Sequence, residues 1–119
     1  MKLTETPLKD CFILEPVVHG DHRGFFMESF NQKVFNEVTK TNYNFVQDNH
    51  SSSKRGVLRG IHYQLGSPQG KLVRVLKGEV YDVAIDLRQS SPSFGKSFGI
   101  FLNEQEKKMF WVPPGFGHG

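Results

Sequence analysis

Cysteine is almost absent from this 119-residue chain: Cys11 stands alone, so no intrachain disulfide can form, and nothing points to an oxidising compartment. A cytoplasmic setting is the expectation. Long apolar runs are missing as well. The stretch from Phe12 to Val18 is far too short to cross a bilayer, and the start of the chain carries Lys2, Glu5, Lys9 and Asp10 with no apolar core behind them. Neither a membrane segment nor a targeting peptide is expected. Runs of like charge are also lacking. A net charge of +3 and a pI near 9.1 come from Lys and Arg spread along the chain, which disfavours a nucleic-acid track and suits a small anionic ligand. With no internal repeat, low-complexity stretch or linker, residues 1–119 read as one domain.

What is present is a chain rich in aromatic and turn residues. Eleven Phe and 12 Gly within a 37% hydrophobic composition suggest an ordered protein built from strands and turns, so all-β is the expected class. Phe12-Ile13-Leu14 leads into Pro16-Val17-Val18. The charged turn His19 to Gly24 and a strand from Phe25 to Phe30 then complete a hairpin pattern. Asn31 is placed to cap one short helix, with Val34, Phe35 and Val38 on a single face. Further strands are expected at Phe45–His50, Val57–Gln64, Lys71–Leu76, Glu79–Leu87, Ser97–Leu102 and Met109–Val112, a spacing that fits a sandwich or barrel. Lys77-Gly78 reads as a tight hairpin turn, and the strand after it is apolar on both alternating faces, as if buried on two sides. The sequence stops at Gly115-Phe116-Gly117-His118-Gly119, directly after a strand, which reads as a domain truncated at its C-terminus.

Polar chemistry concentrates between Gln47 and Lys71, where Gln47, Asp48, Asn49, His50, Arg59, His62, Gln64 and Lys71 crowd into what read as short strands. Taken singly, each is an ordinary surface or satisfied side chain. Together with their surroundings they form blocks: Arg23-Gly24-Phe25-Phe26-Met27-Glu28, Gln47-Asp48-Asn49-His50-Ser51, Leu58-Arg59-Gly60-Ile61-His62-Tyr63-Gln64, Gln69-Gly70-Lys71-Leu72-Val73-Arg74 and Trp111-Val112-Pro113-Pro114-Gly115-Phe116-Gly117-His118-Gly119. These five blocks, in this order, resemble the signature of the dTDP-4-dehydrorhamnose 3,5-epimerases, from near Pro16 to the last residue. The resemblance implies a cupin-type β-jelly roll with one short helix. The implied substrate is a dTDP-linked 4-keto-6-deoxy sugar of deoxysugar biosynthesis, such as the dTDP-rhamnose that supplies cell-surface polysaccharide, and the implied assembly is a homodimer.

Inverting carbons 3 and 5 of such a sugar needs three roles. The 4-keto group acidifies the neighbouring hydrogens, a base removes them, a cation or donor holds the enolate oxygen, and an acid on the far face returns a proton. By resemblance His62 is the base and Lys71 holds the oxyanion, while Arg23, Glu28, Gln47, Asn49, Arg59 and His118 contact the sugar and the nucleotide diphosphate. Histidine titrates near neutrality, and the planar fork of arginine suits a diphosphate, so both assignments agree with the chemistry. His62, Lys71 and His118 are expected to share one cavity. No cofactor is implied. Where metal-binding cupins supply a His-x-His and a Glu, this chain has His62, Gln64 and Lys71, and the cation would repel an ion, so no metal is expected.

Two expectations need structural resolution. Strict alternation would put Arg59 and His62 on opposite strand faces, which a bulge at Gly60 would reconcile. The family's acid is a tyrosine beyond the last residue of this chain, as is the carboxylate that orients the base; Tyr43, Tyr63 and Tyr81 do not match that acid, whereas Asp82 is the candidate partner for His62. The alternatives are therefore a nucleotide-sugar-binding fragment that turns nothing over, or a related single-centre epimerase or keto-sugar isomerase. On this reading the 119-residue form binds dTDP weakly without clean inversion.

Overall fold

A computed structural model describes residues 1–66 and 68–119. The described residues form nine strands and one helix, in line with the expected all-β class. β1 (Lys2–Glu5), β2 (Phe12–Glu15), β5 (Lys71–Arg74) and β8 (Met109–Val112) make a four-stranded sheet in the order β1-β2-β8-β5. β6 (Glu79–Asp86), β7 (Ser97–Asn103) and β9 (Phe116–His118) make a second sheet with β6 central. β3 (Val18–Asp21) and β4 (Gly24–Met27) form the anticipated hairpin around His22 and Arg23, exposed along most of its length.

Alternation along β8 explains how the layers are joined. Phe110 and Val112 enter a core shared with Ala84, Leu102 and Phe116 of the second sheet and with Leu8 and Cys11 of the turn before β2. Met109 and Trp111 point the other way, into a cluster with Leu14 and Phe35. Phe35 belongs to α1 (Gln32–Thr39). The Asn31 side chain accepts from the Val34 N–H at 3.1 Å, as a cap should, and the helix ends at Lys40 in the left-handed conformation. Phe35 and Trp111 meet edge to face with centroids 4.9 Å apart.

Four expectations about strands are corrected. Phe45–His50 and Val57–Gln64 carry no ladder; among the described residues from 40 to 70 the single β contact is an isolated bridge from His62 to His118. Alternating side chains do not make a strand unless a second backbone satisfies its N–H and C=O groups. Lys77-Gly78 is a bend, with Gly78 at φ +84°, but it joins two different sheets: β5 pairs with β8, and β6 with β7 and β9. The local turn signal is outweighed by β8, where Leu72 and Val73 lie opposite Trp111 and Phe110. Finally, β6 is covered on one face. Asp82, Ala84 and Asp86 on that face are buried, while on the other Tyr81 is exposed and Val83 and Ile85 are half-buried, so the strand buried on both faces is β8.

Candidate functional site

The site is built where the 59–62 segment crosses the outer edge of β9. The His62 N–H donates to the His118 carbonyl at 2.8 Å, and the His118 N–H donates back to the His62 carbonyl at 3.0 Å. Two backbone bonds thus fix the separation of the two histidines. The crossing is too close for a side chain at residue 60, where a Cβ would lie 2.8 Å from the His118 carbonyl oxygen, and Gly60 also holds φ +91°. No strand bulge is involved. The question of strand faces for Arg59 and His62 disappears because the segment is not a strand.

Lys71 opens β5 opposite Val112. Its neighbour Gly70 packs against the Trp111 ring with no room for a Cβ, so the start of β5 lies directly on that ring. The outcome is a cavity of about 210 Å³ lined by His62, Lys71 and His118 together with Tyr63, Gln64 and Phe116 among others. These three residues, drawn from separate sequence blocks, do converge.

Asp82 is bonded to His118 and not to the expected partner His62. Both its carboxylate oxygens lie 2.8 Å from His118 Nε2. Register is the cause: His118 stands opposite Ala84, so Asp82, two residues along β6 on the same face, is its diagonal neighbour. A carboxylate can only accept, so Nε2 carries the donated proton and the tautomer of His118 is set from behind.

The other expected contacts lie outside this cavity. Arg23 is exposed at the hairpin tip, its guanidinium 2.7 Å from the Asp21 carboxylate, which that contact holds below the usual carboxylate range. Glu28 is exposed just beyond β4. Gln47 donates to Asn49 at 3.1 Å, and Arg59 donates through Nε to the Ser53 hydroxyl at 2.8 Å, all on exposed chain. Cavity wall residues that sequence reasoning alone does not select include Gly115 and Phe116. Their signal is their place in the last block, three and two residues before His118.

Among the described residues no group of three His, Cys, Asp or Glu side chains is arranged to hold a metal ion, and Gln64 and Lys71 share the cavity with His62. No helix among them is long and apolar enough to cross a membrane.

Comparison with known proteins bears directly on this arrangement. The family model described as dTDP-4-dehydrorhamnose 3,5-epimerase matches residues 5–119. A Shigella flexneri protein of that name is 58% identical over 120 residues, covering 100% of this chain and 66% of its own length. The crystal structure of the enzyme of that name from Elizabethkingia anophelis superposes with a TM-score of 0.93 at 55% identity, covering 99% of this chain and 65% of its own. A dTDP-6-deoxy-D-glucose-3,5-epimerase from Legionella pneumophila, solved in complex with dTDP-4-keto-L-rhamnose, gives 0.94 at 50% identity, covering 98% and 62%. The chain thus spans just under two thirds of the length of relatives such as the Shigella protein, 66% of it. Motif order, cavity and cupin-type architecture agree with the match, and the chain belongs to the dTDP-4-dehydrorhamnose 3,5-epimerase family.

Proposed function

We propose that the protein containing this chain epimerises carbons 3 and 5 of a dTDP-linked 4-keto-6-deoxy sugar, with His62 as the base. The observation that carries this reading is the pair of backbone bonds holding His62 against His118, with Lys71 in the same cavity. A ketone at carbon 4 makes the hydrogens at carbons 3 and 5 acidic. His62 takes the proton, the electron pair moves onto the ketone oxygen, and the ammonium of Lys71 stabilises the resulting enolate, whose electron pair then returns to carbon and takes a proton on the opposite face from the tyrosine that the family resemblance implies. His118, with its Nε2–H committed to Asp82, forms the adjoining wall. The sugar nucleotide bound to the Legionella relative supports the choice of substrate.

Arg23, Glu28, Gln47, Asn49 and Arg59 are assigned to the nucleotide and sugar on motif identity, and they act there in a homodimer. Exposed Phe25 and Phe26 on the two-stranded hairpin support that assembly, since a bare apolar ribbon favours a protein neighbour. A cytoplasmic setting belongs to the same reading, in keeping with a single cysteine, Cys11, that is buried as a free thiol.

Deuterium exchange provides the test. In D2O, NMR of a dTDP-4-keto-6-deoxy sugar should show enzyme-dependent label entering carbons 3 and 5. His62→Asn should abolish that exchange while binding of dTDP persists. Exchange that survives His62→Asn would remove His62 from the role of base.

A further inference from the structure

We propose that Arg88 is a positioning residue that clamps the Gly115–His118 edge of the cavity and thereby holds the His118 ring in place. This deepens the reading above by naming what keeps one wall of the site fixed.

β9 has three residues, with a full ladder to β6 on one side and the His62 bridge on the other. So short a strand has few bonds of its own with which to resist fraying. Arg88 supplies an anchor from outside the ladder. Its Nε donates to Asp86 Oδ1 and its Nη2 to Asp86 Oδ2, both at 2.9 Å, with the Asp86 side chain fully buried. Its Nη1 donates to Asp10 at 2.9 Å and its Nη2 to the Lys9 carbonyl at 2.8 Å. The guanidinium is therefore tied both to β6 and to the turn before β2, and a planar fork held in this way has little freedom.

That fixed plane lies 4.8 Å from the centre of the Phe116 ring. The stem of Arg88 covers Gly115 so closely that a Cβ there would come within 2.8 Å of Arg88 Cγ, and Gly115 is at φ +90°. Gly115 and Phe116 both line the cavity, Phe116 pairs with Asp86, and His118 follows two residues later. The guanidinium supplies the counter-charge to Asp86, while Ser91, Ser93 and the Arg88 N–H complete the hydrogen bonds to that carboxylate, and none of these contacts requires the guanidinium to face Phe116. What the guanidinium adds is a contact to the cavity wall.

The test uses the 15N-labelled chain and reads the His118 Nε2–H, which Asp82 protects. Arg88→Met keeps the stem and loses the charge; Arg88→Lys keeps a charge and loses the planar fork; Phe116→Leu removes the ring and leaves the Asp86 pair intact. Leu14→Ala, in the cluster on the opposite side of β8, serves as a destabilised control. Under folded conditions, water exchange of the His118 Nε2–H should accelerate about tenfold or more in the Arg88 and Phe116 variants, as local opening of β9 becomes easier, and stay unchanged in Leu14→Ala. Unchanged exchange in folded Arg88→Lys and Phe116→Leu, or equal acceleration in Leu14→Ala, would overturn the proposal. The readout needs no substrate, so the clamp stands or falls separately from the epimerase reading.

Discussion

Lys71 and Gly70 are adjacent and test different things. A cationic side chain that stabilises charge developing on the substrate oxygen acts in the transition state, so Lys71→Met should lower kcat by about two to four orders of magnitude with KM little changed. Steady-state kinetics separates the cases: an effect confined to KM would make Lys71 a binding residue. Gly70 has no chemistry of its own, but a Cβ there would run into the Trp111 ring and approach Pro114 Cδ at 3.1 Å. Trp111 is held by Phe35, Tyr43 and Phe45 around it and cannot yield freely. Gly70→Ala should therefore destabilise the fold by about 1–3 kcal/mol, measured by urea unfolding, as overpacking does.

Elements differ in how much of them a single sequence reveals. The helix is legible because its determinants are local: Asn31 caps it, and Val34, Phe35 and Val38 share a face within two turns. Strands expected at Phe45–His50 and Val57–Gln64 do not form because alternation reports a possible face and says nothing about a partner backbone. The pairing of β5 with β8 spans almost 40 positions and leaves no mark beside Lys77-Gly78. The site follows the same division. Convergence of His62, Lys71 and His118 is legible through motif order, whereas the bond from Asp82 to His118 and the reach of Arg88 to Phe116 depend on the β6–β9 register. Asp86, at the end of β6, makes a prediction of its own. Burial works to raise its pKa, but the Arg88 guanidinium and the Ser91 and Ser93 hydroxyls outweigh it and hold the carboxyl well below the usual carboxylate range. A depressed folded value means that the unfolded chain binds the proton first. The stabilisation is thus complete above the unfolded value of about pH 4 and is lost as pH falls from there towards the folded value. Asp86→Asn should be less stable at neutral pH and show a flatter loss of stability in acid, readable from urea midpoints across that range.

At the scale of the whole molecule, the chain measures 49 × 36 × 26 Å with a radius of gyration of 14.7 Å. A compact chain of this length would be nearer about 13.5 Å. The excess accompanies a large exposed apolar surface: Phe26 is 74% exposed, Val46 85%, Leu58 91% and Leu65 82%. Single exposed apolar groups are ordinary, but here they stand on the β3–β4 ribbon, which pairs with no other strand among the described residues, and on the 44–66 segment, which carries no ladder. Water solvates such a surface poorly, and a second copy can cover it with an identical patch of its own, the arrangement a two-fold interface requires. The protein should therefore self-associate. Sedimentation velocity over a concentration series should show a dimer, and Phe26→Ser combined with Leu58→Ser should move the population towards monomer. Far-ultraviolet dichroism should change little, because neither side chain belongs to the buried cores. A chain that stays monomeric at high concentration, with these side chains intact, would rule out the homodimer and with it the role assigned to the hairpin.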